Sequence, residues 1–404
     1  MPQYPNQPVA VQIGAGNIGR GFMGELAAAG GYRVTFIDVD RRLVDALANR
    51  GVYEVHHVTN AGDDAVRVTG VGAIDAADRE ATADAIAGCD VACTAVGVRA
   101  LGAAAPMLAA GIARRLARPD APPLNVITCE NLIGAGARLQ ALVWEAMAGG
   151  PDDAAPPVDR QAFAQRIGFV EAVVSRMVPI VPAETRRRDP LWIACEPYAR
   201  LPVDATAIRG PQPHVAGLEP VASILAHQQR KLATHNMSHA ACAYHGYRAG
   251  HTFIWRAMAD AAVVEAVRGA MAETGRALVA RFGFDPDEQR AHEDDLLERY
   301  RNRALADQVT RVAADPLRKL GPDDRLIGAA RLCIEEGVEP VCVLRTVRAA
   351  LAYDHPADPS AGRLQQMLAA RGRGHVLEQV CGLAKNDPLF RRLINPSDAN
   401  EARP

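Results

Sequence analysis

The stretch VQIGAGNIGRGF (residues 11–22) joins a short apolar run to a glycine-rich turn. Its glycines Gly14, Gly16 and Gly19 stand in G-x-G-x-x-G spacing. In that spacing the first glycine permits a tight turn, the second lets a pyrophosphate approach the backbone, and the third lets a helix pack closely on a strand. The helix that opens there offers unpaired N–H groups and a positive dipole end to phosphates. Glycine turns are common in a chain with 34 Gly, so context decides. Here the turn follows a strand pattern, opens a helix pattern, and is followed about 20 residues on by Asp38, at the end of the next apolar run. The context predicts that Gly14, Ala15, Gly16, Asn17, Ile18 and Gly19 cradle a dinucleotide and that Asp38 meets its ribose. A carboxylate there repels a 2′-phosphate and favours NAD over NADP. Arg41 and Arg42, close by, read as solvated residues of a helix's first turn.

Outward from this turn, the first half of the chain alternates strand and helix patterns. Strand-like PVAVQIG, RVTFIDV, DVACTAVG and NVITCE alternate with helix-like 19–30, 40–49, 99–117 and 134–148. Short apolar runs interleaved with helical periodicity predict a parallel sheet covered on both faces. YEVHHV and VRVTGV predict an extra strand pair after the second helix, GGPDDAAPP (149–157) a surface loop, and VEAVVSRMVP and LWIACEP two later strands. From 219 the character changes to helix: 219–249, 255–281, 286–301, 324–336, 342–353 and 361–372. The predicted fold is an α/β Rossmann-type domain with a parallel-rich, doubly wound sheet over 1–195. A mostly α-helical domain over 196–404, carrying substrate binding and catalysis, follows. The boundary is placed at the cluster Pro197, Pro202, Pro211 and Pro213.

Composition sets limits on partners. A net charge of -2 with 49% hydrophobic and 23% charged residues predicts a soluble globular protein with no nucleic-acid or membrane partner. No apolar run approaches a membrane span, and the start, MPQYPNQPVAVQIGAG, lacks the basic and apolar regions of a signal peptide. Eight scattered cysteines without a CxxC predict reduced thiols in a cytoplasmic protein and no structural zinc.

The basic residues carry a second signal. Of 45, only Lys231, Lys319 and Lys385 are lysines. Arginine keeps its charge in a protein, whereas a buried lysine can be tuned to release a proton near neutral pH. Lys231, in RKLATHNMSH (230–239), is therefore a candidate acid/base. On a helix at about 100° per residue, Lys231, His239 and Asn236 fall at about 0°, 80° and 140°, one broad face able to reach a single substrate oxygen. A short-chain dehydrogenase would need Tyr four residues before a lysine, but His227, Asp315 and Cys381 stand there; no Cys/His cluster suits a zinc alcohol dehydrogenase.

RKLATHNMSH and GAGNIGRGF together resemble the polyol-specific long-chain dehydrogenases of the mannitol dehydrogenase family. Lys231, Asn236 and His239 match its Lys-x-x-x-x-Asn-x-x-His signature, and Asn131 in TCENLIGAG matches its second asparagine. The likeness continues through AYHGYRAGH, RFGFD, RYRN, TRVAADPLRKL and DDRLI, in the manner of the hexitol-phosphate branch. It implies reversible, NAD-dependent oxidation of D-mannitol 1-phosphate to D-fructose 6-phosphate without a metal, by a monomer. Lys231 would carry the proton and Asn131 and Asn236 would polarise the reacting C–O bond. A phosphate needs cations, and Arg311, Arg318 and Lys319 are the candidates. Ser175 in place of the family's aspartate, and the run Arg186, Arg187 and Arg188, depart from the pattern. Alternatives left open are an unphosphorylated polyol or hexuronate as substrate, and a non-catalytic NAD-binding sensor.

Overall fold

The computed structural model describes residues 7–149 and 159–395. It divides into two compact units, one to His227 and one from Gln228. The division falls later than the proline cluster because the strands around those prolines pack onto the first unit.

In the first unit, β1 (Val9–Ile13), β2 (Arg33–Asp38), β5 (Gly72–Asp75), β6 (Val91–Thr94), β7 (Leu124–Thr128) and β8 (Ile167–Glu171) form one sheet in the order β5-β2-β1-β6-β7-β8. All its pairings are parallel. With the intervening hairpin set aside, this is the 3-2-1-4-5-6 order of a doubly wound dinucleotide fold, whose crevice opens where the winding reverses, between β1 and β6. Side chains alternate faces along each strand, and both faces are covered. Ala10 and Phe36 join Phe22, Met23 and Leu26 on one side; Val11, Ile13 and Ile37 join Ile86, Leu108, Ile112 and Leu139 on the other. Burial of each such large side chain stabilises by roughly 1.5–3 kcal/mol, which is why these strands read as continuous apolar runs.

The extra strand pair is present as β3 (Val52–Thr59) and β4 (Gly62–Thr69), antiparallel, with β9 (Ile193–Cys195) added parallel to β3. Several predicted bounds shift. VEAVVSRMVP contributes only its first residues to β8, makes a single antiparallel bridge from Ala172 to Val203, and then runs irregularly, held in part by Arg176. The start of the predicted 219–249 helix is instead β11 (Leu218–Val221), paired in parallel with β10 (Leu201–Asp204). Beyond Gly149, the predicted loop over 149–157 lies outside the described residues.

The second unit is helical: Met237–Arg248, Ala261–Phe282, Pro286–Tyr300, Ile327–Glu335, Val341–Leu351 and Pro359–Gln379 are its main elements. The last carries a break at Gly372, whose φ of 76° no helix tolerates. Among the described residues no helix is long and apolar enough to cross a membrane. All eight cysteines are free thiols.

Candidate functional site

In the first unit, β1 ends in the turn Gly14–Ala15–Gly16 at the mouth of a cleft of about 920 Å³ lined by Gly14, Gly16, Asp38, Arg41, Val96 and Met107, among others. The glycines divide the work as their spacing requires. Gly14 sits at φ 93°, and a Cβ there would lie 2.5 Å from the Ala95 carbonyl oxygen. A Cβ on Gly19 would lie 1.9 Å from the Gly14 carbonyl oxygen, so this residue permits close packing of helix on turn. Gly16 has nothing within 4 Å of its missing Cβ, the open space a pyrophosphate needs. Asn17 and Ile18 open the helix behind it. Asp38 closes the turn from below: Oδ2 accepts from the Ala15 N–H at 2.5 Å and Oδ1 from the Asp40 N–H at 2.8 Å. A carboxylate has about four acceptor positions, so ribose hydroxyls still find lone pairs there. Arg41, the cation nearest this edge in sequence, is tied to Asp75 at 2.8 Å.

One residue that the motifs missed completes the cleft. The buried Glu130 carboxylate accepts from the Val96 and Gly97 N–H groups at 2.9 and 2.8 Å and so fixes the loop after β6. Asn131 follows it directly, exposed past the end of β7. A carboxylate beside that asparagine was visible in TCEN, but its partners come from another strand's loop.

The helix behind the turn is a π-helix over Gly19–Gly24. Its i→i+5 pairing leaves carbonyls to be met from outside. Tyr53 donates its hydroxyl to the Arg20 carbonyl at 2.9 Å, and Arg176 donates to the Gly21 carbonyl at 2.9 Å. Arg176, its side chain fully buried, also pairs with Glu25 at 2.6 Å, and Glu25 accepts from His57 Nε2 at 3.0 Å. Glu25, His57 and Cys195 lie close enough together to suggest a metal site. The chemistry of the set argues otherwise: the Arg176 guanidinium already holds Glu25 and lies 3.5 Å from the Cys195 sulfur. Burial pushes that thiol up to about 12, away from the thiolate a metal requires. Ser175 is buried beside Arg176. Arg188 of the Arg186–Arg188 run pairs with Glu184 on its own short helix.

The second unit contains the other π-helix, and it covers Lys231–Asn236. The α-helical reading had separated Lys231 and Asn236 by about 140°. With i→i+5 pairing, seen in the Met237 N–H to Leu232 carbonyl bond, residues five apart stand one above the other. Lys231 and Asn236 therefore share one face. His239, three residues on in the α-helix Met237–Arg248, continues it. The Tyr300 hydroxyl donates to the His235 carbonyl at 2.9 Å and is bonded to the Ser238 hydroxyl at 2.9 Å. The Tyr300 ring stacks on His239 with centroids 5.0 Å apart. His239 Nε2 lies 3.1 Å from the Asp307 carboxylate.

Lys231 is partly buried, and its ammonium is lowered to about 8, first by burial and then by the positive charge of Arg325. Burial, then Arg299, His239 and Lys231, hold His235 far below the ordinary histidine range and keep it neutral. A lysine that titrates near neutrality beside an amide donor is equipped for proton transfer to and from a hydroxyl.

The three cations predicted for phosphate divide. Arg311 is bound to Asp307, with Nε 2.6 Å from Oδ1, and so belongs to the His239 network. Arg318 is spread over Asp315 at 3.1 Å and Asp324 at 3.0 Å. Lys319 is buried and donates to the Ala314 carbonyl; burial, then Arg325 and Arg318, lower it to about 7.

A glycine-turn nucleotide fold joined to a helical unit with a tuned lysine defines an oxidoreductase of the polyol-dehydrogenase class. The chain belongs to the mannitol dehydrogenase family: residues 8–217 match the mannitol dehydrogenase Rossmann domain and residues 223–391 its C-terminal domain. It is 41% identical over 381 residues to the mannitol-1-phosphate 5-dehydrogenase of Brevibacillus brevis, covering 94% of this chain and 95% of that one. It is 38% identical over 388 residues to the enzyme of the same name from Bacillus licheniformis, covering 96% and 99%. Among solved structures, Pseudomonas fluorescens mannitol 2-dehydrogenase, a ternary complex with NAD and D-mannitol, has a TM-score of 0.72 at 18% identity, over 96% of this chain and 91% of that one. A substrate-free D-sorbitol dehydrogenase has a TM-score of 0.76 at 15% identity, over 96% and 92%. The two structures share the fold.

Proposed function

We propose that this polyol dehydrogenase catalyses the reversible, NAD-dependent oxidation of D-mannitol 1-phosphate to D-fructose 6-phosphate in the cytoplasm. The observation that carries the reading is the π-helix over Lys231–Asn236, whose wide turn puts Asn236 on the same face as a lysine lowered to about 8, in a chain whose relatives of matching length bear that substrate's name. NAD supplies the hydride acceptor; the rest of the chemistry falls to side chains. In oxidation, neutral Lys231 takes the proton of the reacting hydroxyl, and in reduction its ammonium returns one. Asn131 and Asn236 donate to the oxygen as it gains negative charge, and His239, steadied by Tyr300 and Asp307, orients that oxygen. Asp38 favours NAD, since its bonds to the Ala15 and Asp40 N–H groups fix a negative charge beside the turn, where it repels a 2′-phosphate. Proton transfer by the amine places the demand for a Lewis acid on no metal.

The test is NADH consumption with D-fructose 6-phosphate against D-fructose, and with NADPH in place of NADH. The expected result is a kcat/KM for the phosphate ester at least about ten times that for the free sugar. Equal turnover of both sugars, or a preference for NADPH, would sink the corresponding half of the assignment.

A further inference from the structure

Arg325 was in no motif assigned to chemistry, yet its surroundings set it apart from the other arginines near Lys231. Its side chain is only 14% exposed. Asp324 Oδ1 accepts from its backbone N–H at 2.7 Å and from Nε at 2.9 Å. That grip on one edge orients the guanidinium and leaves its two terminal nitrogens without a hydrogen-bond acceptor among the described residues. It stands immediately before the helix Ile327–Glu335, which packs against the π-helix of Lys231.

The charges around it do not balance. Arg318, Lys319 and Arg325 face Asp315 and Asp324, and Asp324 is already shared between two of the arginines. Lys231 adds one further basic group within electrostatic range: Arg325 is the charged neighbour with the largest effect on both Lys231 and Lys319, after that of burial. Like charges gathered in a poorly solvated place are costly unless an anion joins them. A planar guanidinium with a free fork matches the oxygen spacing of a phosphate and binds it bidentately, which neither lysine can do.

We propose that the Arg325 fork holds the phosphate group of the substrate, supported by the charge of Lys319, and so sets the preference for a sugar phosphate over a free sugar. Arg318 acts on this site through the shared Asp324, whereas Arg311 is held by Asp307 in the His239 network. The proposal rests on the reading that the substrate carries a phosphate.

The test is a discrimination ratio, the kcat/KM for D-fructose 6-phosphate divided by that for D-fructose, in wild type, Arg325→Gln and Arg325→Lys. Any change that Arg325 makes to the Lys231 proton step affects both sugars alike and cancels in the ratio. Loss of the fork should lower the ratio at least about tenfold in Arg325→Gln, the scale of a hydrogen bond to a charged group. The fall should come through KM for the phosphate ester, and inorganic phosphate should lose most of its competition against D-fructose. Arg325→Lys keeps the charge without the fork and should fall between. NADH binding, followed by fluorescence, checks that each variant is folded, and if Arg325→Gln is not, Arg325→Lys decides. A wild-type ratio in the folded variants overturns the Arg325 assignment while leaving the function intact. A wild-type enzyme indifferent to the phosphate overturns the function itself and this inference with it.

Discussion

Exchanging Lys231 for arginine separates charge from proton transfer. With Lys231 lowered to about 8, roughly a tenth of its side chains are neutral at pH 7. At the ordinary lysine value the neutral share is roughly 3 in 10,000, so burial and Arg325 enrich the reactive base about 300-fold. A guanidinium, with a pKa above about 12, leaves at most about 1 in 100,000 neutral and cannot serve as the base at all. Positioned acid/base catalysis contributes about 10²- to 10⁴-fold, and Lys231→Arg should lose a factor in that range from kcat for polyol oxidation. The assay is steady-state oxidation from pH 6 to 10, with NADH affinity measured separately. In wild type, oxidation requires the neutral amine and rises as pH climbs through about 8, whereas reduction requires the ammonium and declines over the same interval. Both limbs should vanish in the variant while NADH still binds. Retention of more than about a tenth of wild-type turnover by Lys231→Arg, with the pH step intact, would refute the proton-carrier role.

Three other outcomes follow from the geometry. Asp38→Ser should cost kcat/KM with NAD more than with NADP, and an unchanged ratio would remove Asp38 from cofactor choice. Gly16→Val should fold with an ordinary melting temperature and lose NADH binding, because its side chain enters open space that the pyrophosphate needs; Gly19→Ala should lose stability first, because its Cβ meets the Gly14 carbonyl. Tyr300→Phe keeps the ring on His239 but removes the shorter of two hydroxyl donors to the His235 carbonyl, leaving Ser238 at 3.3 Å, at a cost of about 0.5–1.5 kcal/mol in thermal unfolding. Its kcat should fall with little change in the KM for NADH; unaltered kcat would mean that the hydroxyl does not set the register of Lys231 and Asn236.

The sequence by itself determined the nucleotide fold and where its turn lies. Gly14, Gly16 and Gly19 act through backbone conformation and missing side-chain volume, properties each glycine carries wherever it stands. The buried strands were legible because a sheet covered on both faces needs apolar residues at every position. The scarcity of lysine pointed to Lys231, whose ammonium burial lowers to about 8. Tertiary structure alone decided the helical register of the candidate site. Local pattern follows the i→i+4 bond, and nothing in KLATHN announces that one turn widens to i→i+5. The wide turn exposes carbonyls whose partners come from afar: Tyr300 reaches the His235 carbonyl from 65 residues away, and Tyr53 reaches the Arg20 carbonyl of the other π-helix from 33. Glu130 under the cleft loop and the Arg325 fork were hidden for the same reason. A carboxylate or guanidinium acquires its role from the groups that surround it, and chain folding brings those groups together from distant parts of the sequence.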